Sequence, residues 1–160
     1  MKGLTEFIVP YTISQIAAII ILITAIRNTR LARTLFALLF FWAFCINMYL
    51  GITNPNRYLD NAKFALPIYR DFINGWFSHY NHILIPAIAT GQLLIAVGIT
   101  LNNWWVKWAC IGSIIFLFSI APLMVAAAFP FSLIVSYAAF LILKKDNHKY
   151  LWLKKNNRGI

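Results

Sequence analysis

The chain has 160 residues, 61% of them hydrophobic and only 11% charged, with 13 Phe, 7 Tyr and 6 Trp. A soluble domain carries about a quarter charged residues, whereas here the apolar residues are gathered into long runs, so composition argues against an ordinary water-soluble globule. The net charge of +10 sits largely on residues flanking those runs, which points to anionic lipid head groups and away from nucleic acid.

The expected fold class is all-α: a polytopic transmembrane helical bundle of five apolar crossings over residues 1–143, followed by a basic cytoplasmic tail over 144–160. The count falls to four if the last reversal is re-entrant. Span 1 is expected from about Ile8 to Ile26, with Pro10 in its first turn, where a missing N–H costs little. No small-x-small cleavage pattern follows this run, so the span is expected to stay. The short turn after it carries Arg27, Arg30 and Arg33. By the positive-inside rule this turn is cytoplasmic and the N-terminus outside.

Span 2 is expected from Leu31 to Leu50, closed by the breakers Gly51, Asn54 and Pro55. The connection from Thr53 to Asn81 is too polar to cross a bilayer and too aromatic for a free linker. Its loosely alternating aromatic and charged residues suit one or two interfacial helices. Span 3 is expected from about His82 to Leu101, with Thr90, Gly91, Gln92 and Gly98 giving a small-residue face for packing.

The stretch from Trp104 to Leu143 carries one charge, Lys107. As a single straight helix it would reach about 60 Å, twice the hydrocarbon thickness of a bilayer. It is therefore expected to fold back near Ala126–Pro130, giving span 4 from Trp104 to Met124 and span 5 from Phe131 to Leu143. Span 5 covers only about 20 Å of helix, so its turn is expected at depth with its backbone groups satisfied by protein. Charge supports the reversal. With five spans the cytoplasmic side holds ten basic residues against one acid, and the outer side four against three. Head-group contacts are expected from Arg27, Arg30, Arg33, Lys107, Lys144 and Lys145.

Most polar residues near the spans fall toward the expected outer side. Gln15, Asn47, Arg70, Asp71, His79, His82 and the deeper Gln92 are candidates for a small pocket roofed by the aromatic connection. The alternative is that they bond only to water, head groups or neighbouring helices. His79 and His82 are three apart and would share a helix face, which makes them weak candidates for a metal or haem, with Asp71 as a possible third ligand. Cys45 and Cys110 are expected as small buried hydrophobes too far apart for a disulfide. The chain has no serine–base–acid order, paired catalytic carboxylates or CxxC. No catalytic residue is therefore expected.

The segment YRDFINGWFSHYNHILIPAIATGQLLIAVGI and the later FLFSIAPLMVAAAFPFSLI resemble the DoxX-like family of small bacterial membrane proteins. The likeness runs from about Tyr69 to Leu143. It implies a bacterial or archaeal cytoplasmic membrane. Some relatives are subunits of a thiosulfate:quinone oxidoreductase and others are linked to redox stress. The family is commonly described with four helices, and its members often carry glycines where this chain has Met124, Val125 and Ala126. The expected function is an accessory or ligand-binding subunit of a membrane redox or envelope-stress system, without chemistry of its own. It would work with a membrane protein partner or as a homo-oligomer. The alternatives are a quinone-interacting subunit of a membrane oxidoreductase, using quinone or haem, and a small channel or exporter.

Overall fold

A computed structural model describes residues 2–124 and 129–152. Among the described residues, five long helices form the body: α1 Lys2–Arg27, α2 Thr29–Thr53, α4 Ser78–Gly98, α5 Asn103–Ile120 and α6 Phe131–Lys145, with a short α3 at Pro67–Phe72. Among the described residues there is no strand. Among the described residues, three helical stretches are long and apolar enough to cross a membrane: Thr29–Thr53, Pro67–Gly98 and Asn103–Leu123. Residues 126–128 of the expected Ala126–Pro130 reversal lie outside the described residues.

The packing order is simple. Helices α1, α2, α4 and α5 form an arc in which each contacts the next, and α6 closes it by packing on α5 and α1 and touching α2. Helix α6 is the most enclosed, burying Phe131, Ser132, Val135, Ser136, Ala138, Ala139, Leu141 and Ile142. Its opposite face stays open, with Tyr137 and Phe140 exposed. Small residues let the helices approach. A Cβ on Gly98 would lie 3.1 Å from that of Ala109 at the α4–α5 contact. The outward faces are the apolar ones: Ile16 and Ile20 on α1, Trp42 on α2, Leu94 on α4 and Phe118 on α5 are all exposed. Such a continuous apolar exterior fits lipid and not water as the surrounding solvent.

One end of the bundle is closed by charge. Arg33, near the start of α2, is 1% exposed and pairs with Asp146 at 2.8 Å. Its guanidinium also donates to the carbonyls of Ile99, Leu101 and Lys149 at 2.7 to 2.9 Å. Asp146 in turn accepts from Thr29 Oγ1 at 2.6 Å and the His148 backbone N–H at 2.7 Å. This overturns the expected head-group contact for Arg33: its charge is spent on protein groups that leave it no access to lipid. Residues 146–152 run back along the α4–α5 turn, with Asn103 N–H donating to His148 O and Leu151 N–H to Thr100 O. The expected boundary at residue 143 is thus no structural boundary, and the first part of the basic tail belongs to the fold. Residues 153–160 lie outside the described residues.

Other differences are local. Helix α1 starts before Ile8, and the α4 helix before His82. Gly51 does not end α2; it lies inside the helix and permits close approach to Ile85 and Pro86 of α4. Cys110 is buried as expected, but Cys45 is exposed on the outer face of α2. Both are free thiols.

Candidate functional site

The other end of the bundle carries the connection between α2 and α4. Its first part, Pro55–Lys63, is a 3-10 helix, followed by α3 and a π-helical turn at Ile73–Phe77 that runs directly into α4. Proline at the first position favours each of the two starts, Pro55 and Pro67, because it needs no hydrogen bond there. The continuous helical stretch Pro67–Gly98 has 32 residues, or about 48 Å, more than a hydrocarbon core requires. The connection has its own small core of Ala62, Ala65 and Ile73, packed by Leu59, Tyr69, Phe77 and Leu123.

Polar contacts fix this connection to the bundle. Tyr58 OH donates to Asn47 Oδ1, and Asn47 Nδ2 donates to Gln92 Oε1 at 2.8 Å. Asn81 Nδ2 donates to Asn56 Oδ1 at 2.9 Å. Across the end of α5, Leu66 N–H donates to Pro122 O at 3.1 Å and Tyr69 OH to Ser119 O at 2.7 Å. Those carbonyls lie at a helix terminus, where intrahelical partners run out. Burial holds the Tyr58 phenol above the usual tyrosine pKa, because the anion would be poorly solvated there.

The expected pocket residues therefore separate. Asn47 and Gln92 meet, as a chain completed by Tyr58. Gln15 stays apart on α1, where its amide donates to Ser14 Oγ at 3.3 Å and its Oε1 is buried without a partner among the described residues. Asp71 and His82 are exposed. His79 Nδ1 donates to Gly75 O at 2.8 Å, and Ser78 Oγ donates to the same carbonyl at 2.7 Å. Gly75 departs from helical geometry inside the π turn, so the two side chains satisfy a carbonyl that the widened turn leaves open. Among the described residues, no three His, Cys, Asp or Glu side chains gather as a metal site.

Arg70 does line a cavity. An open cleft of about 380 Å³ is bounded by Leu59, Ala62, Lys63, Arg70 and Asn74. Arg70 Nε donates to Ala62 O at 3.2 Å. Lys63 pairs with Asp60 at 2.7 Å, both side chains being largely exposed. The Lys63 hydrogen bond and charge hold the Asp60 carboxyl below its ordinary pKa. On the flank of the same segment Tyr69, Phe72, Trp76 and Tyr80 form a ladder of ring contacts with centroids 5.3 to 6.5 Å apart, and Trp76 is 54% exposed.

A second groove of about 380 Å³ lies between α4 and α5 and is lined almost wholly by apolar side chains, including Leu94, Leu101, Trp105 and Trp108. Of the expected head-group residues, Arg27, Arg30, Lys107, Lys144 and Lys145 are exposed. Arg30 also donates to the Leu151 carbonyl.

Sequence reasoning missed Tyr58, Asn56 and Asn81. Asn81 lies between two histidines and is the buried one, while both histidines are exposed. The signal was periodic: Asn81, Ile85, Ala89, Gln92 and Ala96 follow the three- and four-residue steps of one buried face.

Compared with known proteins, the chain matches no family model, no curated protein and no solved structure.

Proposed function

We propose that the chain is an integral membrane protein of five crossings that serves as an accessory, ligand-binding subunit through its α2–α4 connection. Its N-terminus would be extracytoplasmic and its C-terminus cytoplasmic. Side-by-side packing of α1, α2, α4, α5 and α6 supports the count. The crowding of basic residues at Arg27, Arg30, Lys144 and Lys145 supports the orientation. Arg27, Lys107, Lys144 and Lys145 are exposed and would meet lipid head groups in this orientation. The setting in a cytoplasmic membrane, within a redox or envelope-stress system, rests on the resemblance of Tyr69–Leu143 to DoxX-like proteins.

One observation carries the reading. The connection is a folded structure with its own core, fixed to the bundle by Tyr58, Asn81, Leu66 and Tyr69, and it encloses a cleft with two cationic side chains. A mere link between two crossings needs neither a core nor a cleft.

Native mass spectrometry of the protein extracted with its surrounding lipid, together with an optical spectrum, tests this directly. A retained small molecule, lipid or partner chain is expected, with no haem band. A protein that comes out bare under all mild extractions overturns the reading. Retained quinone or a haem band would replace it with the oxidoreductase alternative, and solute flux in liposomes with the channel.

A further inference from the structure

We infer that the cleft between the 3-10 segment and α3 is a binding site for a phosphate group, held by Arg70, Lys63 and Asn74. The inference rests on the ligand-binding reading above and names the ligand's chemistry. Arg70 spends only Nε on the protein, at the Ala62 carbonyl. That bond tethers the guanidinium at the cleft wall. Among the described residues neither Nη has a partner, so a planar pair of N–H donors remains for an oxyanion, the geometry that arginine offers to phosphate. Asn74 lies one turn further along the same helical segment. Residues four apart share a face, which places an amide donor beside the guanidinium.

Lys63 supplies the second charge from across the cleft. Its present partner is Asp60, and the pair is solvent-exposed with 71% and 68% of the side chains accessible. An exposed pair of this kind contributes little, so Lys63 is free in energy to turn to a ligand. Leu59 and Ala62 give the cleft an apolar side, which reduces the water that competes for the anion. The exposed aromatic ladder on the flank, with Phe72 and Trp76, sets the segment at head-group depth in the topology proposed above. The phosphate could then belong to a phospholipid of the same leaflet or be free in solution.

The test separates the two sources. Protein in a phosphate-free maltoside detergent, stripped of phospholipid, is titrated with inorganic phosphate. In the second arm, nanodiscs containing phosphatidylglycerol are examined by native mass spectrometry for retained lipid. Whichever probe binds, Arg70→Gln is expected to weaken it about tenfold or more, the loss of a charge-assisted hydrogen bond. Lys63→Gln, whose side chain is exposed and needed for no buried contact, is expected to weaken it several-fold without affecting folding. Arg57→Gln, outside the cleft lining, is expected to leave binding unchanged and serves as the control for general charge. Binding that is equal in the wild type, Arg70→Gln and Lys63→Gln overturns the inference, as does the failure of both probes. If both probes fail while another ligand or partner is retained on extraction, only the phosphate assignment falls. If nothing is retained at all, the ligand-binding reading falls with it.

Discussion

At one end of the bundle Arg33 and Asp146 meet at 2.8 Å with 1% and 3% of their side chains exposed. At the other end Asn47 and Gln92 meet at 2.8 Å with no charge between them. The first contact is saturated: the guanidinium has four protein acceptors and the carboxylate three protein donors. Removing one member leaves a charge where water does not reach. The second contact is a chain of neutral groups, and parting them strands no charge. The contrast is between an end joined by a buried ion pair and an end joined by neutral hydrogen bonds. The neutral end also carries the connection with the cationic cleft.

The sharpest way to break this comparison is Asp146→Ala. A buried arginine without its partner costs about 3–5 kcal/mol, a large fraction of the stability of a small domain, and thermal or denaturant unfolding in detergent would measure it. Replacing both members, as Arg33→Met with Asp146→Leu, should recover most of the loss, since a buried pair exchanged for apolar residues is often neutral. If the double variant is as unstable as the single one, the carbonyl contacts of Arg33 matter more than the ion pair.

Gly51→Ala is next in size. Its Cβ would lie 2.9 Å from Ile85 Cγ2 and Pro86 Cδ, and overpacking of that kind costs about 1–3 kcal/mol. Gly91→Ala, where a Cβ meets nothing within 4 Å, should instead stabilise the helix by about 0.5–1 kcal/mol. Opposite signs in the same unfolding assay would show that the close α2–α4 contact, and not helix propensity, sets the cost at Gly51.

Asn47→Ala should cost about 0.6–2 kcal/mol, the range of interhelical side-chain bonds in membranes. It should also loosen the connection, read as faster hydrogen exchange over residues 55–63. A loss as large as that of Asp146→Ala would erase the distinction between the two ends.

The smallest effect is a pH dependence. The Tyr58 phenol is held above its ordinary value of about 10, so folding favours the protonated form. Its contribution is fully present below the unfolded tyrosine pKa and is lost as pH rises through the higher folded value. Stability should therefore fall at alkaline pH in the wild type, and less so in Tyr58→Phe. Equal slopes in the two would mean that Tyr58 ionises as freely in the fold as in the unfolded chain.

The helices were legible because their signal is local. Long apolar runs, the breakers Asn54 and Pro55, and the excess length of Trp104–Leu143 each announce themselves within a short window. The clasp was not, because it pairs residues 113 positions apart. Arg33 beside Arg27 and Arg30 reads as a cytoplasmic flank by every neighbourhood rule. The one clue was Asp146, a lone acid in a strongly basic tail, and a single residue names no partner. At the other end, Asn47 and Gln92 were legible as polar residues in apolar helices, but their meeting depends on the register of α2 against α4. His79 misled for a similar reason: the need it answers, the open carbonyl of Gly75, arises only from a π turn that no sequence pattern marks.

The length of chain between Arg33 and Asp146 also has a consequence in time. At about 5–20 residues per second of synthesis, the partner of Arg33 emerges about 6–23 seconds after it. Throughout that interval the first hairpin must carry an uncompensated arginine. In the orientation proposed above, Arg33 then stands with Arg27 and Arg30 on the cytoplasmic side, where its charge helps retain the turn during insertion. Arrival of Asp146 would withdraw it from the surface and close the bundle. One side chain would thus first guide insertion and later mark its completion. A chain stopped before Asp146 would keep its hairpin in the membrane while leaving that end of the bundle unsealed, a distinguishable target for quality control.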